Sequence, residues 1–237
     1  MLQYYDKAIR SSANEDRLLI LQFLKGMIGQ EFEFLNYFKE IPLSYKAILL
    51  NVEKEMAEFA VHEYQATIIN IERRALVYCH HLSPFKEDIV GDAFYVNTVK
   101  KRAILCRFAF AHIRSDMRNF VRVQLDHPVK AYLFCDGDTL SANIKDISLS
   151  GASIEIMSCD FLEPGVEMTL SIKLPDHKNN KIFEIELNAT LVRVRGEAPP
   201  YYCIIKFQPE KHSQRQIAYY INQRQLEIIK ELKEITS

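Results

Sequence analysis

Apolar and polar residues alternate in short runs along most of this chain and switch to helical spacing near its two ends. "SANEDRLLILQFLKGMIGQ" reads as a helix, with Asn14 as N-cap, Asp16 in the first turn and Gly29 at its end. Leu18, Leu19, Leu21, Phe23 and Leu24 nearly surround it, which predicts packing against a sheet. From Glu31 to Phe110 the period falls to two. Phe32 and Phe34 alternate with Glu31 and Glu33, and Ala57, Phe59 and Val61 with Glu58, Ala60 and His62. "ATIINIERRALVYCHH", "GDAFYVNTV" and "KKRAILCRFAFAHI" continue as strands. Short strands at close spacing predict a sandwich or barrel.

No Pro/Gly linker divides the chain. The apolar pattern breaks between His112 and Asp116, so the expected division is 1–112 and 113–237. A second strand-rich run follows. "VRVQLDHPVKAYLF" and "DTLSANIKDI" flank "CDGD", an Asp-Gly turn signal. "ASIEI" puts Ala152, Ile154 and Ile156 on one face. In "KIFEIELNATLVRVR" the apolar set changes face after Leu191, which predicts a β-bulge there. After "EAPP", "YYCIIKF" is the last strand. The chain closes in a helix with a capping box at Ser213–Gln216 and an apolar stripe of Ile217, Ile221, Ile228, Leu232 and Ile235. That stripe suits a helix closing a barrel or packing on a partner subunit.

Composition narrows the function. Thirty basic and 31 acidic residues leave a net charge of -1, without the basic excess of a general nucleic-acid binder. A small local anion site remains compatible. The N-terminus has no apolar h-region, and no apolar run approaches the roughly 20 residues of a membrane span. Five dispersed cysteines, Cys79, Cys106, Cys135, Cys159 and Cys203, suit a reduced cytoplasmic interior.

Two stretches could carry chemistry. In "RNFVRVQL" the alternation of Val121, Val123 and Leu125 argues for a strand, which would set Arg118, Phe120 and Arg122 on one face. Arg114 extends the four-residue spacing backwards, so a helical, solvated arginine face stays open. In "KDISLSGAS", Asp146, Ser148 and Gly151 form D-x-S-x-x-G at a strand end and tight turn. Asp and Ser side chains can bond nearby backbone N–H groups, and Gly151 can take positive φ. R-x-x-x-R is expected by chance about once in a chain this long, and D-x-S-x-x-G in about one chain in ten to twenty.

The pair is more specific than either part. "RNFVRV" opens a β-rich module, D-x-S-x-x-G follows 24 residues after Arg122 at the end of the second strand, and more strands and a helix complete it. This resembles a PilZ domain, the bacterial receptor module for cyclic di-GMP, from about Ile113 to the C-terminus. A helix and strand-rich region of about 110 residues upstream looks like the YcgR-like flagellar brake layout; that match rests on layout alone. The resemblance implies a mainly β protein: a PilZ-like N-terminal barrel and a six-stranded C-terminal PilZ barrel, with an N-terminal and a C-terminal helix.

It also implies a ligand and its contacts: cyclic di-GMP on Arg118, Arg122, Asp146, Ser148 and Gly151, at the domain junction. A guanidinium can fork onto a phosphate or onto guanine O6 and N7, and Lys cannot replace it there. An Asp carboxylate can accept from the guanine N1–H and N2–H edge or lock an arginine. Ser148 offers a hydroxyl, and Gly151 would let backbone approach the ligand. Phe120 is expected to pack rather than stack. The residue before the first motif arginine is associated with stoichiometry in the family. Here it is Met117, which offers no strong donor, so one ligand per protomer is expected; Arg114 is the residue that could supply a further cation. Binding is expected to change the domain arrangement and to act through a protein partner, with flagellar motor components as candidates, on motility or biofilm behaviour.

Other chemistry finds less support. Cys79, His80 and His81 could begin a metal site, but adjacent histidines on a strand face opposite ways and no further ligand pair follows. "ISLSG" lacks the G-x-S-x-G of a nucleophile elbow, and no P-loop or G-x-G-x-x-G occurs, so no catalytic activity or cofactor is expected. "VKKR", Val99 to Arg102, reads as a solvated turn or strand end. Two rival readings stand: a ligand-free PilZ-like scaffold for protein contacts, and an OB-like binder of single-stranded nucleic acid, which the near-neutral charge disfavours.

Overall fold

The computed structural model describes residues 4–113, 120–135, 137–158, 163–176 and 181–236. These fall into two compact units. The first comprises the chain up to Phe38, Pro42 to Ile113, and the end of the C-terminal helix from Lys230; the second comprises Lys39–Ile41 and Phe120–Ile229.

The first unit is a ring of six strands with one added. β2 (Glu31–Phe38), β3 (Ile41–Glu53), β4 (Met56–Ala60), β5 (Arg74–Tyr78), β6 (Asp88–Asn97) and β7 (Arg102–Ile113) close in the order β7-β4-β3-β2-β5-β6, because β7 pairs with both β4 and β6. β1 (Tyr5–Ala8) joins the far end of β7, Tyr5 opposite Ile113. Period-two patterning buries Phe32, Phe34, Phe59, Leu105 and Phe110 inside. α1 (Ala13–Lys25) buries Ile20, Leu21 and Leu24. It starts two residues earlier than Asn14 suggests: the Ser12 hydroxyl accepts from the Glu15 N–H at 3.2 Å, and the helix ends at Gly26, not Gly29. Leu18 is 53% exposed, so the apolar residues do not ring the helix completely.

One element contradicts the sequence pattern. "EYQATIINIE" is a helix, α2 (Glu63–Glu72), not a strand. Gln65 to Ile69 are all buried, so no polar face interrupts the run, and a short apolar run cannot be assigned by periodicity alone. Its ends are local: the His62 ring accepts from the Tyr64 N–H, and Arg73 stops it in the left-handed conformation at φ 60°. Buried Asn36 then joins the helix to β2, accepting from the Gln65 amide at 2.6 Å and donating to Glu72 at 2.6 Å.

The second unit is a closed six-stranded barrel. Its strands are β8 (Arg122–Cys135), β9 (Asp138–Ser148), β10 (Gly151–Ile156), β11 (Glu167–Asp176), β12 (Lys181–Arg195) and β13 (Tyr201–Gln208), in the cyclic order β10-β13-β12-β11-β8-β9. Gly137 turns β8 into β9 with φ 91°, as the Asp-Gly signal indicates. The β12 register shifts between Leu191 and Arg193, at the expected bulge, leaving Val192 51% exposed. A second irregularity lies between Gln124 and Val129 on β8, where Pro128 has no N–H to give the ladder. α3 (Lys211–Thr236) buries Ile217, Ile221, Ile228 and Leu232. It begins at Lys211, so Ser213 lies inside the helix rather than capping it, and Ile235 is 59% exposed.

Candidate functional site

Three neighbouring strands of the second barrel bring the sequence motifs together. Across β8, β9 and β10 the ladder sets Arg122 opposite Ser148 and Ser148 opposite Gly151; the next row is Gln124, Asp146 and Ser153. Arg122 and Asp146 are therefore diagonal neighbours on one face, close enough for long side chains to meet. That face is the outer one, since Val123 and Ile147 between them point into the core. Yet Asp146 is 3% and Ser148 4% exposed.

Arg122 Nη1 lies 3.3 Å from Asp146 Oδ1. The two are paired by charge but not aligned for a hydrogen bond, and both Arg122 Nε and Asp146 Oδ1 are buried with no hydrogen-bond partner. Buried polar atoms are nearly always satisfied, so this donor and acceptor each keep a hydrogen bond to offer. Burial pushes the Asp146 carboxyl above its ordinary range and the nearby Glu40 carboxylate adds to this, while Arg122 and Ser153 oppose it. On the same strand as Arg122, Asp126 behaves oppositely. Burial would raise its pKa, but hydrogen bonds from Lys39 and Arg224 more than offset this and hold it low.

The structure revises the expected roles of several motif residues. Ser148 Oγ donates to the Gly151 carbonyl at 3.1 Å, so its proton closes its own hairpin across the two-residue turn Leu149–Ser150. Gly151 does not have positive φ. Glycine is required there because a Cβ would stand 2.2 Å from the Ile205 carbonyl of β13, so the close approach that demands it is that of the neighbouring strand. β8 starts at Arg122, so the strand expected from Arg118 onward is shorter, and Phe120 is 42% exposed rather than packed. Arg114, Met117 and Arg118 lie outside the described residues. Sequence reasoning missed Ser153, Gln124 and Glu40. The polar alternation of β10 held a signal for Ser153; Glu40 is remote in the chain and had none.

Elsewhere, His80 Nδ1 lies 2.7 Å from Asp88 Oδ1, which also accepts from the Cys79 and His80 N–H groups. No group of three or more His, Cys, Asp or Glu among the described residues is placed to hold a metal ion. Val99 is 89% exposed at the β6–β7 turn, where Lys101 pairs with Glu63 at 2.9 Å. None of Cys79, Cys106, Cys135 and Cys203 is in a disulfide. Among the described residues no helix is long and apolar enough to cross a membrane.

A closed six-stranded barrel with an arginine at the mouth of its first strand and an Asp–Ser–Gly hairpin beside it defines a class, and sequence comparison agrees. The family model for the PilZ domain matches residues 116–223, so this chain carries a PilZ domain. Similar solved structures include the inhibitor of motility MotI (DgrA) of Bacillus subtilis, 14% identical, covering 84% of this chain and 98% of that one with a TM-score of 0.43. YcgR of Escherichia coli in complex with c-di-GMP is 12% identical, with 98% and 97% covered and a TM-score of 0.44. The K. pneumonia MrkH–c-di-GMP complex is 17% identical, with 97% and 99% covered and a TM-score of 0.43. No curated protein matches the sequence.

Proposed function

We propose that this protein is a receptor for cyclic di-GMP, without catalysis of its own. One observation carries the reading: at the two PilZ motif positions, a half-buried guanidinium and a buried carboxylate lie together with Arg122 Nε and Asp146 Oδ1 unsatisfied. Cyclic di-GMP offers what each lacks. A phosphate, or guanine O6 and N7, takes the guanidinium fork, and the guanine N1–H and N2–H edge donates to a carboxylate. Arg118, and Arg114 before it, would add cations from the segment leading into β8.

Calorimetric titration of the full chain with cyclic di-GMP tests this directly. Saturable binding that GMP does not reproduce is expected, and no heat of binding at high micromolar ligand would refute it. Because the first motif arginine, Arg118, precedes β8 in the short stretch of sequence between the two barrels while Arg122 begins β8 itself, we further propose that ligand changes the arrangement of the two units and signals through a protein partner, with motility or biofilm behaviour as the output. Scattering profiles that superimpose with and without saturating ligand would count against that coupling.

A further inference from the structure

Three register shifts of the second barrel lie on one row of its outer face. On β9, Asp146 and Ile144 pair with the consecutive residues Ser153 and Ile154 of β10, so Lys145 is an extra residue. On β12 the ladder steps between Leu191 and Arg193, with Val192 extra. The third shift follows Gln124 on β8. The first two bulges reverse the alternation of their strands. Ile144 and Leu191 are buried in the core, so in an unbroken strand Asp146 and Arg193, two residues on from each, would also point inward. The bulges aim both outward instead. Gln124, Asp146, Ser153, Ile204 and Arg193 then stand side by side, one each from β8, β9, β10, β13 and β12. In the row beside it, Lys206 stands across Gly151 from Ser148.

Arg193 and Lys206 are exposed, and neither has an ion-pair partner among the described residues. Ile204, between Arg193 and Ser153, is half-buried and offers an apolar seat. A strand spacing of about 4.8 Å puts the Lys206 backbone about 10 Å from Ser148 and the Arg193 backbone about 14 Å from Asp146. Both side chains are long enough to shorten those spans. We propose that Arg193 and Lys206 hold the second half of cyclic di-GMP, with Lys206 on a phosphate and Arg193 forked onto guanine O6 and N7 over Ile204. The inference rests on the receptor reading above and extends its site across β13 and β12. The ligand's chemistry asks for such an extension: it carries two phosphates and two guanines, whereas Arg122 and Asp146 supply one guanidinium and one carboxylate. An ammonium serves a phosphate as a point charge, and a planar fork matches the guanine edge. Arg195 is the internal control. It is also exposed, but lies one row further from Ser148, opposite Tyr202 and in line with Glu155, which Lys145 pairs at 3.0 Å.

Calorimetric titration of the full-length wild type, Arg193→Ala, Lys206→Ala and Arg195→Ala with cyclic di-GMP decides the matter. Arg193→Ala is expected to bind about tenfold more weakly and Lys206→Ala about fivefold, as suits one bidentate base contact and one exposed cation on a phosphate, while Arg195→Ala keeps wild-type affinity. All three side chains are exposed, so the substitutions leave the barrel folded, which thermal melts of the same preparations check. Wild-type affinity in either Arg193→Ala or Lys206→Ala overturns the extended site and leaves the receptor reading intact. An equal loss in Arg195→Ala makes the effect one of overall charge and also overturns it. Failure of the wild type to bind removes the receptor reading and this inference together.

Discussion

Arg122 on β8 and Asp146 on β9 are diagonal partners 3.3 Å apart, and each shields the other from being a lone buried charge. The arginine side chain is 17% exposed and the aspartate 4%, so the pair contributes to the barrel's stability as well as to the proposed site. From the sequence, Arg122 reads as a solvated residue whose loss would cost the fold little; its burial against Asp146 reverses that expectation.

Arg122→Ala should therefore do two things. Cyclic di-GMP affinity should fall on the order of 100-fold, and the barrel should lose about 2 kcal/mol because Asp146 stays buried without its cation. Arg122→Lys should restore most of the stability but little of the affinity, since an ammonium cannot fork. Calorimetry and urea denaturation on the same preparations separate the two effects. An Arg122→Ala protein as stable as wild type would mean that Asp146 finds another partner.

Asp146→Asn gives a pH signature. The folded pKa of Asp146 lies above its ordinary 3.8, so its stabilising contribution is fully present below that value and is lost as pH rises through the folded pKa. The variant lacks this loss. The difference in melting temperature, variant minus wild type, should grow more positive from about pH 3.5 toward neutral, while cyclic di-GMP binding by the variant falls at least about tenfold. Thermal melts across that range check the sign; a difference that shrinks with pH would show that Arg122 dominates over burial.

Gly151→Ala should destabilise the second barrel by about 3 kcal/mol, because the new methyl meets a backbone carbonyl that cannot rotate away. Ligand binding should then fall only as far as the folded fraction falls. A well-folded Gly151→Ala protein with lost binding would return Gly151 to the ligand-contacting role that the sequence suggested.

One cyclic di-GMP per protomer is the expected stoichiometry, since Met117 offers no strong donor for a second molecule. A calorimetric value near two would contradict this. Its return to one in Arg114→Ala would identify Arg114 as the source of the extra cation.

Much of this architecture was written locally. Period-two alternation marked both strand-rich units, the Asp-Gly turn placed the β8–β9 hairpin, and the change of face at Leu191 located the bulge in β12, because each is a property of a few consecutive residues. The spacing of Arg122, Asp146, Ser148 and Gly151 was equally legible, since the motif lies in two short stretches. What the residues do there was not. α2 was hidden because five consecutive residues at its centre, Gln65 to Ile69, are buried and show no helical period. Gly151 reads as a positive-φ turn position until β13 is seen across from it, and a solvated arginine face stays open until Asp146 is seen beside Arg122. Glu40, 106 residues before Asp146 in the chain, left no trace in any local pattern. The sequence by itself determined most of the strands and the spacing of the two motifs, because those depend on near neighbours. Only the tertiary structure decided which charges are buried together, because desolvation and Coulomb coupling depend on distance in space, where a remote turn counts as much as the next residue.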